Sequence, residues 1–192
     1  MNSYEGLYSQ KLSKISKLYP FIGKGSSRKV FDAGEIVIKY AINNSKGEMQ
    51  NSTEFDIYTN LSDHVDILCP IFDISKNDNI LIMKKVTPLT KLKNISEEDK
   101  KEIKRFKKHF NNIKKYYTEK YLYKHIVPEK LVNEVENSEL YGDIYTLIYG
   151  YDLLEGDVLK LSSWGYSDGK FYLFDYGCTK EQFDRLYRVK VA

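Results

Sequence analysis

Gly23, Gly25, Lys39, Glu54, Asp157 and Asp175 are residue types whose order along the chain suits the handling of phosphate groups. The two glycines open the run Gly23-Lys24-Gly25-Ser26-Ser27-Arg28-Lys29-Val30, between two predicted strands, where a glycine hairpin can lie over phosphates. Lys39 ends the β-branched run Val37-Ile38-Lys39, and fifteen residues on Glu54 stands in a predicted helix from which a carboxylate could hold that ammonium. Asp157, in Glu155-Gly156-Asp157, is a candidate to orient a substrate hydroxyl or accept its proton, and eighteen residues later Asp175 opens Asp175-Tyr176-Gly177. Each feature has a plainer counterpart: an ordinary hairpin turn, a strand lysine facing water, an aspartate capping a turn. A Rossmann turn is excluded because no helix follows the glycines, and a Walker loop because no Gly-Lys-Ser/Thr follows.

Strands, helices and turns must position these groups. Leu7, Leu12, Ile15 and Leu18 predict a leading helix within residues 1–20, ended by Pro20. Phe21 to Tyr40 reads as three short antiparallel strands, with Ala33-Gly34 as a hairpin turn. Met49, Phe55, Ile57, Tyr58 and Leu61 predict a helix over 46–62, capped by Ser52 or Thr53. Residues 67–75 and 79–86 read as two more strands joined by Lys76-Asn77-Asp78-Asn79, so the first 88 residues read β-β-β-α-β-β. Ser96, followed by Glu97, Glu98 and Asp99, then starts a long amphipathic helix whose stripe is Ile103, Phe106, Phe110, Ile113, Tyr117 and Tyr121. Pro128 starts another helical region, broken near Asn137-Ser138 and reaching about Tyr149. Loop and strand return over 150–177, with Ser167-Asp168-Gly169 as a turn, and residues 179–189 can form one short helix. Trp164 is expected to pack behind the Asp157 segment.

In this joint order the segments 23–31, 37–40, 47–58, 81–89, 156–165 and 173–177 give the chain a resemblance to the protein-kinase-like fold. It looks in particular like the small kinase-like proteins encoded by bacteriophages. The resemblance implies an α+β, two-lobed fold: residues 1–88 as a lobe of five antiparallel strands and a helix, and residues 89–192 as a reduced helical lobe. It implies ATP and Mg2+ as cofactors, with Gly23 and Gly25 over the phosphates, Lys39 contacting them and Glu54 fixing Lys39. Met83 to Val86 would meet the adenine through backbone groups, Asp157 would be the catalytic-loop acid and Asp175 the magnesium ligand.

The departures from the family pattern are equally specific. Arg28 replaces the third loop glycine, where it either crowds the phosphates or contacts them. Glu155-Gly156 stands where protein kinases carry His-Arg, closer to small-molecule phosphotransferases. Ser162 replaces the second metal-binding asparagine. A second register would make Asp152 the acid and Asp157 the second metal ligand; the eighteen-residue spacing to Asp175 favours Asp157. Only fifteen residues follow Gly177, too few for the helical platform on which kinases dock peptides. Three functions follow as expectations: a Mg-ATP-dependent phosphotransferase acting on a protein or small-molecule hydroxyl, a pseudokinase that binds a host or phage protein, and, more weakly, an RNA binder.

Composition narrows the classes. With 192 residues and a net charge of +3 from 30 basic and 27 acidic side chains, the chain is large enough for its own core and too balanced to bind polyanions through its overall field. An apolar share of 42% that counts 17 Tyr means that tyrosine must supply core. Cys69 and Cys178 stand alone, and His64, His109 and His125 lack zinc spacing, so neither a disulfide framework nor a zinc centre is expected. Without a leader-like start or a long apolar run, a soluble, cytoplasmic chain with no membrane partner is expected. The one charge segregation lies in residues 100–124, where ten basic residues face only Glu102 and Glu119. That stretch, with Tyr116 and Tyr123 as stacking groups, is the candidate RNA surface; a solvated helix face explains the same charges.

Overall fold

The computed structural model describes residues 4–42 and 44–186. Two short helices, α1 (Glu5–Tyr8) and α2 (Leu12–Leu18), replace the single leading helix expected from the sequence. The break has a backbone cause: Lys11 is extended (φ −70, ψ 151), which lets leucines from both helices and the buried Ile15 reach one sheet. That sheet follows as β1 (Phe21–Lys24), β2 (Arg28–Asp32) and β3 (Ile36–Ala41), then, after α3 (Asn44–Leu61), β4 (Ile71–Ile74) and β5 (Ile80–Lys84). Its five strands run in the order β1-β2-β3-β5-β4, every neighbouring pair antiparallel. Gly34 closes the β2–β3 hairpin at φ +85, a conformation that suits a residue without Cβ.

Strict alternation buries the sheet on both faces. Phe31, Ile38, Ile80 and Ile82 turn toward α1 and α2, while Val37, Leu81 and Met83 turn toward α3 and the main core. Lys39 shares the second face, so a period of two aims its ammonium at α3 and away from water.

α3 begins earlier than its apolar residues suggest, and the expected caps Ser52 and Thr53 lie inside it. Its buried face runs Gly47, Asn51, Glu54, Ile57 and Leu61, spaced at three and four, and is polar along its first half. The expected range 46–62 thus starts only two residues late, and it is the expected caps that fail. Thr53 accepts a hydrogen bond from Gln182 instead of capping the helix.

The chain then forms β6 (Thr87–Pro88), α4 (Glu97–Tyr117), α5 (Glu129–Glu136), α6 (Glu139–Tyr145), α7 (Glu155–Val158), β7 (Trp164–Ser167), β8 (Lys170–Leu173) and α8 (Lys180–Leu186). The Ser96 hydroxyl accepts from the Asp99 amide at 3.0 Å and caps α4, as its sequence signature predicts. One π-helical turn follows α4 (Thr118–Leu122) and another follows α6 (Thr146–Gly150). β6, β7 and β8 form a small antiparallel sheet, in which Asp168 and Gly169 close the β7–β8 hairpin with positive φ. The architecture is thus α+β, and among the described residues no helix is long and apolar enough to cross a membrane.

Tyrosine supplies core as its abundance implies: Tyr116, Tyr117, Tyr141 and Tyr176 are buried. Tyr116 donates its hydroxyl to Glu136, which corrects its assignment as a stacking platform for RNA. Trp164 is fully buried behind α7, donating Nε1–H to the Val158 carbonyl at 2.8 Å and packing on Phe106 and Phe110 of α4.

At the other end of the core, a Cβ on Gly47 would lie 2.6 Å from both the Ser27 carbonyl oxygen and the Ala41 Cβ. Since backbone must move to admit it, Gly47→Ala should destabilise the fold by about 1–3 kcal/mol despite its better helix propensity, read as a lower urea midpoint.

Candidate functional site

A cavity of about 850 Å3 lies between the β1–β2 hairpin, β3 and β5 on one side and the segments 154–162 and 174–178 on the other. Gly23, Gly25, Arg28, Lys39, Met83, Val86, Asp157, Ser162 and Asp175 all line it, although they come from distant parts of the chain. Glu54 stands behind this wall with no exposure.

The Glu54 carboxylate organises the cluster. Its Oε2 accepts from Lys39 Nζ at 2.7 Å and from Arg28 Nη1 at 2.9 Å. Its Oε1 accepts from Arg28 Nη2 at 3.0 Å and from the Tyr176 amide at 3.3 Å. Arg28 therefore grips it with two nitrogens, the arrangement a planar guanidinium favours. The same Nη2 reaches Asp175 Oδ1 at 2.9 Å, and Nη1 reaches Asn51 Oδ1 at 3.3 Å. Lys39 also donates to the Phe174 carbonyl. Burial holds the Lys39 pKa below its usual value; the Glu54 carboxylate opposes that shift and the Arg28 guanidinium reinforces it.

The acidic side is set by the turns after α6. Leu153 bridges Thr179, and the Leu154 amide donates to the Cys178 carbonyl at 3.0 Å, which brings α7 beside Asp175. Burial raises the Asp157 pKa, and the Asp175 charge raises it further. Tyr176 turns inward, donating its hydroxyl to the Cys69 carbonyl at 3.2 Å. Gly177 then passes so close to α3 that a Cβ there would meet the Gln50 carbonyl oxygen at 2.5 Å. The Cys178 thiol also faces the cavity, but burial and the two aspartates push its pKa up to about 11, so it is not a thiolate at neutral pH.

Asp152 does not reach the cavity. Its side chain is 57% exposed, with Lys180 Nζ at 3.7 Å, and its backbone sits at φ 53, so of the two aspartates offered as the acid only Asp157 lines the cavity. Lys84 and Lys85 have their ammonium groups on Asp168 and Asp32, each at 2.8 Å. Arg28, expected to crowd or contact the phosphates, lines the cavity and is also buried against Glu54, Asn51 and Asp175. Asn51 was missed altogether; its signal was the polar series Gly47, Asn51, Glu54 at helical spacing.

A nucleoside triphosphate fits the cavity in size and in its pairing of apolar walls with two buried cations. Magnesium fits it poorly. Asp175 Oδ1 is already bound to Arg28, whose guanidinium would repel a neighbouring divalent ion, and Ser162 offers only a neutral hydroxyl. Among the described residues no group of three or more His, Cys, Asp or Glu could hold a metal ion.

Removing the Glu54 carboxylate would strand Arg28 and Lys39. Glu54→Ala should therefore cost about 3–5 kcal/mol in a urea titration, whereas single exposed pairs such as Lys100 with Glu97 should contribute below about 1 kcal/mol. By NMR the Asp157 carboxyl should titrate above the ordinary aspartate range and move down in Asp175→Asn. Because its folded pKa is raised, Asp157 should make the fold less stable as pH rises through the interval between its unfolded and folded pKa values.

No protein-family model matches this chain, and a search of curated proteins finds no match.

Proposed function

We propose that the cavity binds ATP and that the protein is a kinase-like phosphotransferase acting on a hydroxyl of a protein or small molecule. The observation that carries this reading is the buried Lys39–Glu54 pair, 2.7 Å apart, whose lysine lines the same cavity as Asp157 and Asp175. The two-lobed kinase-like architecture belongs to the same proposal: the five-stranded sheet with α3 would be one lobe, and α4 to α8 with the small sheet the reduced other. Kinship with small phage-encoded proteins of that type rests on the order of the motifs alone.

The nucleotide supplies the phosphoryl group. Lys39 Nζ, held by Glu54, donates hydrogen bonds to phosphate oxygens as charge builds on them. The hairpin at Gly23 and Gly25 covers those oxygens without side chains in the way, and the β5 end from Met83 to Val86 offers backbone groups to the base. Asp157 orients the acceptor hydroxyl and takes its proton at a carboxylate oxygen. Because burial and the Asp175 charge raise its pKa, transfer should rise with pH through the Asp157 titration, as its base form appears.

The Arg28–Asp175 bridge favours a second reading, in which the cavity binds nucleotide without turnover and the protein acts as a pseudokinase on a protein partner.

Thermal unfolding with ATP tests both. ATP at 100 times its dissociation constant should stabilise the wild type by about 2.7 kcal/mol, and Lys39→Met should abolish the shift. Asp157→Asn should keep the shift and lower transfer to a hydroxyl acceptor by about 10²–10⁴-fold. Wild type that is shifted by ATP yet transfers nothing decides for the second reading, and wild type that is not shifted at millimolar ATP ends both.

A further inference from the structure

The basic stretch of α4 takes no part in the proposed reaction, yet one side of it borders a second, smaller cavity. A groove of about 300 Å3 is bounded by the segment 89–95 and α4. Leu89, Leu92, Ile95 and Ile103 line it together with Lys100, Lys104 and Lys107. Its apolar part is wholly aliphatic: Leu89 and Ile103 are buried, and Leu92 and Ile95 are half-buried against the main core. The three lysines follow one another at helical spacing, so they form one edge of the groove.

That edge is poorly neutralised by its own surroundings. Lys100 holds Glu97 at 2.6 Å, but both side chains are more than half exposed, and such a pair exchanges partners at little cost. Lys107 reaches the Leu89 carbonyl at 3.4 Å with one of its three N–H donors. Among the described residues Lys104 has no ion pair or hydrogen bond. Asp99 and Glu102 accept from the Tyr166 hydroxyl at 2.6 and 3.2 Å. With every acid counted, residues 91–108 carry eight cations against Glu97, Glu98, Asp99 and Glu102.

An aliphatic floor beside a cationic edge selects an occupant that carries aliphatic and acidic groups side by side. Nucleic acid matches only half of it, because phosphates suit the lysines but no aromatic ring lines the groove for a base to stack on. A membrane surface matches less well, since Ile103, Phe110 and Ile113 of α4 are packed in the core. An extended peptide matches both halves. Lys100 to Lys104 is a rise of about 6 Å along the helix, and alternate residues of an extended chain lie about 6.6 Å apart on one side. Acidic residues at every second position thus face the lysines while the residues between them face the aliphatic wall. Thr87, Pro88, Thr90 and Lys91 line the large cavity while Leu89, Leu92 and Ile95 line the groove, so only one segment of chain separates the two.

We propose that this groove docks a partner protein through an extended segment in which aspartate or glutamate alternates with leucine or isoleucine. The inference goes beyond the chemistry of the large cavity and holds whether or not that cavity binds nucleotide.

Fluorescence anisotropy of the full chain with a fluorescein-labelled Glu-Leu-Asp-Leu-Glu-Leu-Asp peptide, in physiological salt, tests it. Wild type should bind with a dissociation constant of about 100 µM or tighter, and the same peptide with serine for leucine should bind at least about tenfold more weakly. The double variant Lys100→Glu, Lys104→Glu should also lose at least about tenfold. Lys101→Glu with Arg105→Glu, two exposed residues of α4 outside the groove, lowers the net charge by the same amount and should stay within about threefold. Each variant is first confirmed as folded by its thermal transition. A serine peptide that binds as well as the leucine peptide, or equal losses in the two double variants, overturns the inference, because charge alone then explains the binding. A labelled oligouridylate that binds more tightly than the peptide and displaces it assigns the face to RNA and overturns it as well. Wild-type binding weaker than the stated level overturns it outright.

Discussion

An ionised carboxylate without solvent exposure has to be surrounded by donors, and Glu54 sets that condition for much of this molecule. Four N–H groups meet it, drawn from β2, β3 and the segment after β8. To deliver them, the sheet must turn Lys39 toward α3, the hairpin must end at Arg28, and Tyr176 must enter the core beneath the helix. Gly47 and Gly177, where a Cβ would run into backbone oxygens, flank this arrangement and let α3 approach both neighbours closely. The polar half of the α3 face is therefore as much part of the core as the isoleucines across the sheet.

Most of the architecture was legible from periodicity and turn chemistry. β-type runs between turn residues located the five strands of the large sheet, Ser96 located the start of α4, Asn137-Ser138 located the break between α5 and α6, and Ser167-Asp168-Gly169 located a hairpin turn. The Lys39–Glu54 pair was legible too, because a strand period and a helix period each assign a face. What failed did so for physical reasons. The caps expected at Ser52 or Thr53 fail because Gly47 and Asn51 before them are already helical, buried by close approach and hydrogen bonding, neither of which hydropathy detects. Arg28 to Asp175 spans 147 residues, and no local pattern reports a contact at that distance. Asp152 and Asp157 differ only in how the chain turns between them, and the left-handed backbone at Asp152 sends its side chain toward Lys180. Tyr116 looked like a surface aromatic because lysines precede it; one residue of helical phase puts it inside.

The cavity joins two kinds of wall. On the sheet side, Val30, Val37 and Met83 belong to strands buried on both faces, a stiff platform for a flat apolar group. On the other side the acids sit on short turns held by backbone bonds between 153–154 and 178–179. Binding chemistry thus rests on the rigid wall, while the groups that would handle a proton or a charge rest on the looser one, a common division between scaffold and reactive loops.

The two walls are also sewn together at a point away from the cavity. The Cys69 amide donates to the Leu173 carbonyl, and the Leu173 amide to the Ile67 carbonyl, so the connection before β4 runs alongside the end of β8. Residues that meet there are separated by over a hundred positions in sequence, and the Tyr176 hydroxyl closes the same long loop onto the Cys69 carbonyl. Loop-closure entropy must be met before such contacts return any stability. The five-stranded sheet can form from neighbours in the first 84 residues. The cluster around Glu54, by contrast, gains its Phe174, Asp175 and Tyr176 partners only once the segment after β8 has been made, so Arg28, Lys39 and Glu54 can pair with one another before that side of the cluster is covered.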